Sequence, residues 1–169
     1  KAIELGRDDA WLNSQIGLNL LEEDVKEALK YLNKAKDLGK DDAWINRQFG
    51  FAYSQLGEYE KAISSFKKAR ELGANDSWLL YQLGLALKEY ANIEEAINIF
   101  KEEIEITDYK GFGDLQLAWC YALIDEKEKA KEYFKNVDKY LSSSLKNDEE
   151  LRKDYNTVKE LINSDIYFN

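Results

Sequence analysis

The chain has 169 residues with 24 basic and 33 acidic side chains, a formal net charge of −9, and it contains no Pro, Met or His and a single Cys. Without imidazole there is no Ser-His-Asp or Cys-His constellation and no His-based zinc site, and one thiol supplies neither a Cys cluster nor a disulfide framework. The acidic balance disfavours nucleic acid as a partner, no run of about 18 apolar residues is available to cross a membrane, and 44% hydrophobic residues are enough for a folded core.

Residues 1–8 read as the tail of a second helix whose first half is missing, since Ala2-Ile3-Glu4-Leu5-Gly6 parallels Ala35-Lys36-Asp37-Leu38-Gly39. Because Lys1 is not an initiator methionine, further repeats are expected before it. Residues 9–41, 42–75, 76–109 and 110–143 then read as four copies of one unit. Trp11, Trp44, Trp78 and Phe112 follow one another at 33, 34 and 34 residues. Gly17, Gly50 and Gly84 keep step, with Ala118 in the next slot, and Ala28, Ala62, Ala96 and Ala130 recur every 34. A fixed period in this range indicates a solenoid.

Within the second copy, apolar residues recur at three and four through Trp44-Ile45 to Leu56 and again from Tyr59 to Leu72, the spacing of two amphipathic helices. Gly57 separates them, a residue that accepts the left-handed conformation at a helix end. Between copies, Gly39 and Gly73 stop one helix, and Asp9, Asp42 and Asp76 are placed to cap the next and to put negative charge at its positive end. After Leu141 the period dissolves into Ser142-Ser143-Ser144. Residues 144–169 are expected to hold a terminal helix with Leu151, Tyr155, Val158, Leu161 and Ile162 on one side, closing the open core with a polar outer face.

These units resemble tetratricopeptide repeats, helix-turn-helix hairpins of about 34 residues. The second copy carries Phe49-Gly50 in the family's Leu-Gly slot, Tyr53 in its Tyr slot, and Ala62 with Phe66 in its Ala and Phe slots. The others offer Ile16-Gly17 with Ala28 and Leu32, Leu83-Gly84 with Ala96 and Phe100, and Tyr121 with Ala130 and Phe134. Two departures stand out. The family's proline is absent throughout, and its tryptophan slot holds Asn13, Asn46, Leu80 and Asp114, while the actual tryptophans lie two residues earlier, about 200° around the helix. The resemblance implies an all-α, right-handed α-solenoid whose first helices line a concave surface.

Opposite the hairpin core, each first helix presents residues spaced at four, three and four: Trp11, Gln15, Leu18 and Glu22; Trp44, Gln48, Phe51 and Gln55; Trp78, Gln82, Leu85 and Glu89; Phe112, Gln116, Trp119 and Leu123. As a peptide groove, the apolar rows would hold side chains while the glutamines hydrogen-bond an extended backbone. Arg47, Tyr81 and Lys88 flank the face, and residues that differ between copies, such as Ser14, Arg47, Tyr81 and Leu115, are the candidates for specificity. The competing reading is that the same rows pack one repeat on the next.

The expected function is a protein or peptide interaction scaffold using this face. The alternative is an assembly spacer that positions fused domains or self-associates through its open N-terminal repeat. No enzymatic chemistry, cofactor or metal is expected: Cys120 occupies a small core slot with no base beside it, and the carboxylate clusters sit at helix starts. Abundant Lys, Asn, Ile and Asp suggest an AT-rich bacterial genome, and the cytoplasm is the expected compartment.

Overall fold

The structure, a computed structural model, describes residues 9–109 and 111–164. The helix remnant expected at 1–8, and with it the N-terminal surface invoked for self-association, lies outside the described residues. Within them the chain is helical, with no strand. Two compact units divide between Asn75 and Asp76.

The first unit comprises α1 (Ala10–Leu20), α2 (Val25–Asp37), α3 (Ala43–Gln55) and α4 (Tyr59–Glu71). Here α1 packs on α2, α2 on α3 and α3 on α4. The aspartates start these helices as their positions suggest: one Asp9 carboxylate oxygen accepts the Leu12 amide at 2.7 Å, and Asp42 accepts that of Ile45 at 2.9 Å. Each such cap satisfies an amide that the helix itself leaves unpaired, a contribution of about 1 kcal/mol. The core gathers Leu21, Ala28, Leu32, Ala35, Ile45, Phe49 and Ala52.

The second unit comprises α5 (Ser77–Glu89), α6 (Ile93–Ile106), α7 (Phe112–Leu123), α8 (Lys127–Leu141), the single turn α9 (Ser144–Asn147) and α10 (Glu149–Asn163). Asp76 caps α5 through the Leu79 amide at 3.1 Å, and Asp148 caps α10 through that of Leu151 at 2.9 Å. Successive helices α5 to α8 pack on one another, and α10 turns back to cover α7 and touch α8. Leu151, Val158 and Ile162 form its buried side, so the terminal helix supplies the apolar cover for which its pattern was suited.

Two of the hairpins share one close contact. A Cβ added to Gly50 would fall 2.5 Å from the Phe66 ring, and one added to Gly84 would fall 2.5 Å from the Phe100 ring. Both rings are fully buried, which stabilises the fold by roughly 1.5–3 kcal/mol apiece. In α7 the glycine is replaced by Ala118, and Phe134 of the facing helix is only part-buried, its ring 4.7 Å from that of Tyr155 on α10.

The slots where the resembling family places tryptophan are buried here, and three of the four are polar. Asn13 Nδ2 donates to the Asp9 carbonyl at 2.9 Å, and Asn46 Nδ2 donates to the Asp42 carbonyl and to Asp41, both at 2.8 Å. The hydrogen bond from Asn46, with Lys36 nearby, holds the Asp41 carboxyl below its usual range despite some desolvation. Asp114 Oδ1 accepts from Asn136 Nδ2 at 2.7 Å, tying α7 to α8. Side-chain amides and a carboxylate thus fasten first helices at positions where the resembling family places a tryptophan.

The turn between helices repeats its backbone but not its residue. Gly57 has φ 72°, and the equivalent places one and two periods later hold Ala91 at φ 63° and Asp125 at φ 60°. Left-handed backbone costs a side chain bearing a Cβ about 1–2 kcal/mol. Ala91 is exposed, so replacing it loses little packing. Ala91→Gly is expected to raise the unfolding free energy by roughly 0.5–1 kcal/mol in a denaturant titration, net of the chain entropy glycine adds to the unfolded state. By contrast, Gly84→Ala is expected to lower it by roughly 1–2 kcal/mol, because the clash with Phe100 outweighs the helix-propensity gain.

Candidate functional site

In the first unit, the outward row of α1 begins with Trp11, 65% exposed, followed by part-buried Gln15 and Leu18. Along α3, Trp44 and Phe51 are part-buried and, like Leu18, lie against the core cluster. The Lys40 ammonium stands 5.4 Å from the Trp44 ring centroid and pairs with Asp42 at 2.7 Å. Gln48 is buried and Arg47 part-buried. Of these residues Trp11 offers the largest open apolar surface, while the bulky residues of α3 serve the core on one side and face outward on the other.

In the second unit the corresponding rows surround two depressions. A smaller, mostly apolar pocket of about 210 Å³ is lined by Trp78, Tyr81 and Phe112 from the first helices, with Ser77, Glu103, Thr107 and Tyr109. Trp78 keeps 37% of its surface exposed. A groove of about 340 Å³ lies alongside: Tyr81, Leu85, Lys88 and Glu89 come from α5, Phe112, Gln116 and Trp119 from α7, and Leu151, Asp148, Glu150 and Asp154 from α10 and its cap. Gln82 is part-buried and lines neither.

The floor of this groove is a polar knot set among rings. Lys88 Nζ donates to Gln116 Oε1 at 2.8 Å, stands 3.7 Å from the Trp119 ring centroid, and lies 3.6 Å from Glu89 Oε1. Burial lowers the Lys88 ammonium from its ordinary range, partly opposed by Glu89. Its cation–π contact is desolvated on this account, the setting in which such contacts approach about 2 kcal/mol. Tyr81 shares a hydrogen bond with Gln116 and packs edge-on against Phe100 at 6.0 Å; burial pushes its hydroxyl up to about 12. Gln116, only 3% exposed, is therefore occupied by Lys88 and Tyr81 rather than presented freely to a ligand backbone.

Across the groove, Asp154 is part-buried, and desolvation raises its carboxyl from the ordinary range, with Lys88 acting in the opposite sense. Periodicity gave no means of placing the three acidic residues here, because α10 stands outside the repeat and its direction is set by packing on α7. The Asp148-Glu149-Glu150 cluster is legible in the sequence only as a helix start, a role that Asp148 fills while also edging the groove.

Cys120 is fully buried, and burial pushes its thiol up to about 11, far from the thiolate that nucleophilic chemistry needs. Among the described residues no group of acidic or Cys side chains is arranged to hold a metal ion, and no helix is long and apolar enough to cross a membrane.

Two sequence profiles described as tetratricopeptide repeat match the chain, one over residues 48–72, spanning the end of α3 and all of α4, and one over 114–140, spanning α7 and α8. No curated protein sequence matches it significantly. Among solved structures it is similar to YrrB, a tetratricopeptide protein described as having an unusual peptide-binding site, with 21% identity, a TM-score of 0.73, and coverage of 97% of this chain and 91% of that one. It is also similar to residues 41 to the end of MamA from Desulfovibrio magneticus RS-1, with 23% identity, a TM-score of 0.75 and 90% of each chain covered. A further MamA crystal structure gives 20% identity and a TM-score of 0.76, covering 86% of this chain and 85% of that one. The profiles, the helical hairpins and these likenesses agree: this all-α chain is a tetratricopeptide-repeat protein.

Proposed function

We propose that the protein is an interaction scaffold that binds a peptide or protein segment along the outward faces of its first helices. The observation that carries this reading is the groove of the second unit, where Leu85, Phe112 and Trp119 keep apolar surface on an open depression. Contiguous aromatic and aliphatic surface bounded by polar groups is the composition of a recognition site, and a few anchors of this type commonly carry most of the affinity. Trp78 and Phe112 extend that surface into the smaller pocket, and Trp11, Trp44 and Phe51 offer comparable rows in the first unit. The peptide-binding site named for YrrB supports the same use of a shared fold. No reacting group is assigned, and the buried thiol and lysine act as structural parts.

The occupied state of Gln116 alters how a ligand would be held. Its amide is already bonded to Lys88, so it braces the groove floor rather than bonding a ligand backbone. Random dodecapeptides displayed on phage and selected on the purified protein should yield a binder. In calorimetric titration of that peptide, Leu85→Ala and Trp119→Ala, each with helical content intact, should weaken affinity by roughly tenfold or more, the cost of losing an anchor side chain. Unchanged affinity in both variants would contradict the assignment.

A further inference from the structure

Building on the scaffold reading, we propose that the groove between α5, α7 and α10 selects a cationic segment, one carrying Lys or Arg beside an apolar residue. Four carboxylates line it, from Glu89, Asp148, Glu150 and Asp154, against the single ammonium of Lys88. That ammonium is spent on the floor, held between Gln116, the Trp119 ring and Glu89. Asp148 is partly spent too, since one of its oxygens caps α10. Glu150 and Asp154 form no ion pair or hydrogen bond among the described residues. The groove thus sets the apolar surfaces of Leu85, Phe112 and Trp119 beside carboxylates that outnumber its one cation, on a chain of net charge −9.

The energetics favour that occupant. Part-burial raises the carboxyl of Asp154, so its charged form is held at a cost in the empty groove. A guanidinium or ammonium brought beside it offsets this cost, whereas an acidic segment would add like-charge repulsion in a partly desolvated space. The apolar neighbours of the cationic residue rest on Leu85, Phe112 and Trp119. Complementary charge then sets which segment binds and how fast, while the apolar side chains supply affinity.

The phage selection of random dodecapeptides on the wild-type protein, at low and at physiological salt, also tests this inference. The enriched peptides are resynthesised and titrated against Glu150→Gln/Asp154→Asn, against Glu105→Gln/Glu132→Gln, which removes the same charge from exposed positions outside the groove, and against Trp119→Ala. The groove variant should fold normally, because the carboxylates it neutralises make no hydrogen bond or ion pair among the described residues, and loss of Glu150's charge at the start of α10 removes only a small favourable interaction with the helix dipole. The expected result is enrichment of Lys and Arg, affinity that falls with added salt, and a loss of roughly tenfold or more in the groove variant with little change in the exposed-site control. Neutral or acidic peptides that depend on Trp119, or basic peptides indifferent to the groove variant, would overturn the cationic selection and leave the scaffold reading standing. Failure to enrich any peptide, or enrichment of peptides indifferent to Trp119, would overturn both.

Discussion

The close approach of a first helix to its second helix, permitted by glycine and filled by an aromatic ring, is the constraint on which the hairpins depend. At Gly50 with Phe66 and at Gly84 with Phe100 there is no room for a methyl group. Because a ring occupies one side of the first helix completely, the other side is left to face outward, and the residues at four, three and four acquire their outward direction from that packing. In the last hairpin Ala118 replaces the glycine, and the facing Phe134 shares its surface with Tyr155 of α10, so the terminal helix completes a hairpin that the repeat alone leaves open. Structural closure and the shape of the candidate groove therefore have a common source in α10.

That common source also shapes the candidate groove of the second unit. Lys88 and Gln116 come from helices that the repeat sequence specifies, and they lock together across α5 and α7 over a Trp119 ring. α10 then brings carboxylates to the opposite wall without pairing Glu150 or Asp154. A groove assembled in this way has a hydrogen-bonded floor and carboxylates in excess at its rim, an arrangement suited to a partner of complementary charge.

Much of the fold is legible in the sequence because its signals are local. The 33- and 34-residue spacings mark the hairpins, and Asp9, Asp42 and Asp76 cap helices as their places before the apolar periods indicate. The site is less legible, for physical reasons that differ by residue. Gln116 repeats the positions of Gln15, Gln48 and Gln82, yet a lysine 28 residues earlier fixes its amide, and no periodic pattern reveals which glutamine has such a partner. Ala91 and Asp125 stand where Gly57 advertises a left-handed turn, and neither residue type carries that signal. Asp154 lies on a helix outside the period, so only tertiary packing brings it to face α5 and α7.

The central claim is that a segment docks on the first-helix face of the second unit, and the tryptophan indoles report on it directly, being four in number and so individually assignable. Nitrogen-15-labelled protein titrated with an enriched peptide should show the Trp119 indole signal moving in proportion to occupancy, together with backbone signals from α5, α7 and α10. Saturable binding that shifts only signals of the second helices α6 and α8, with Trp119 unmoved, would contradict the account.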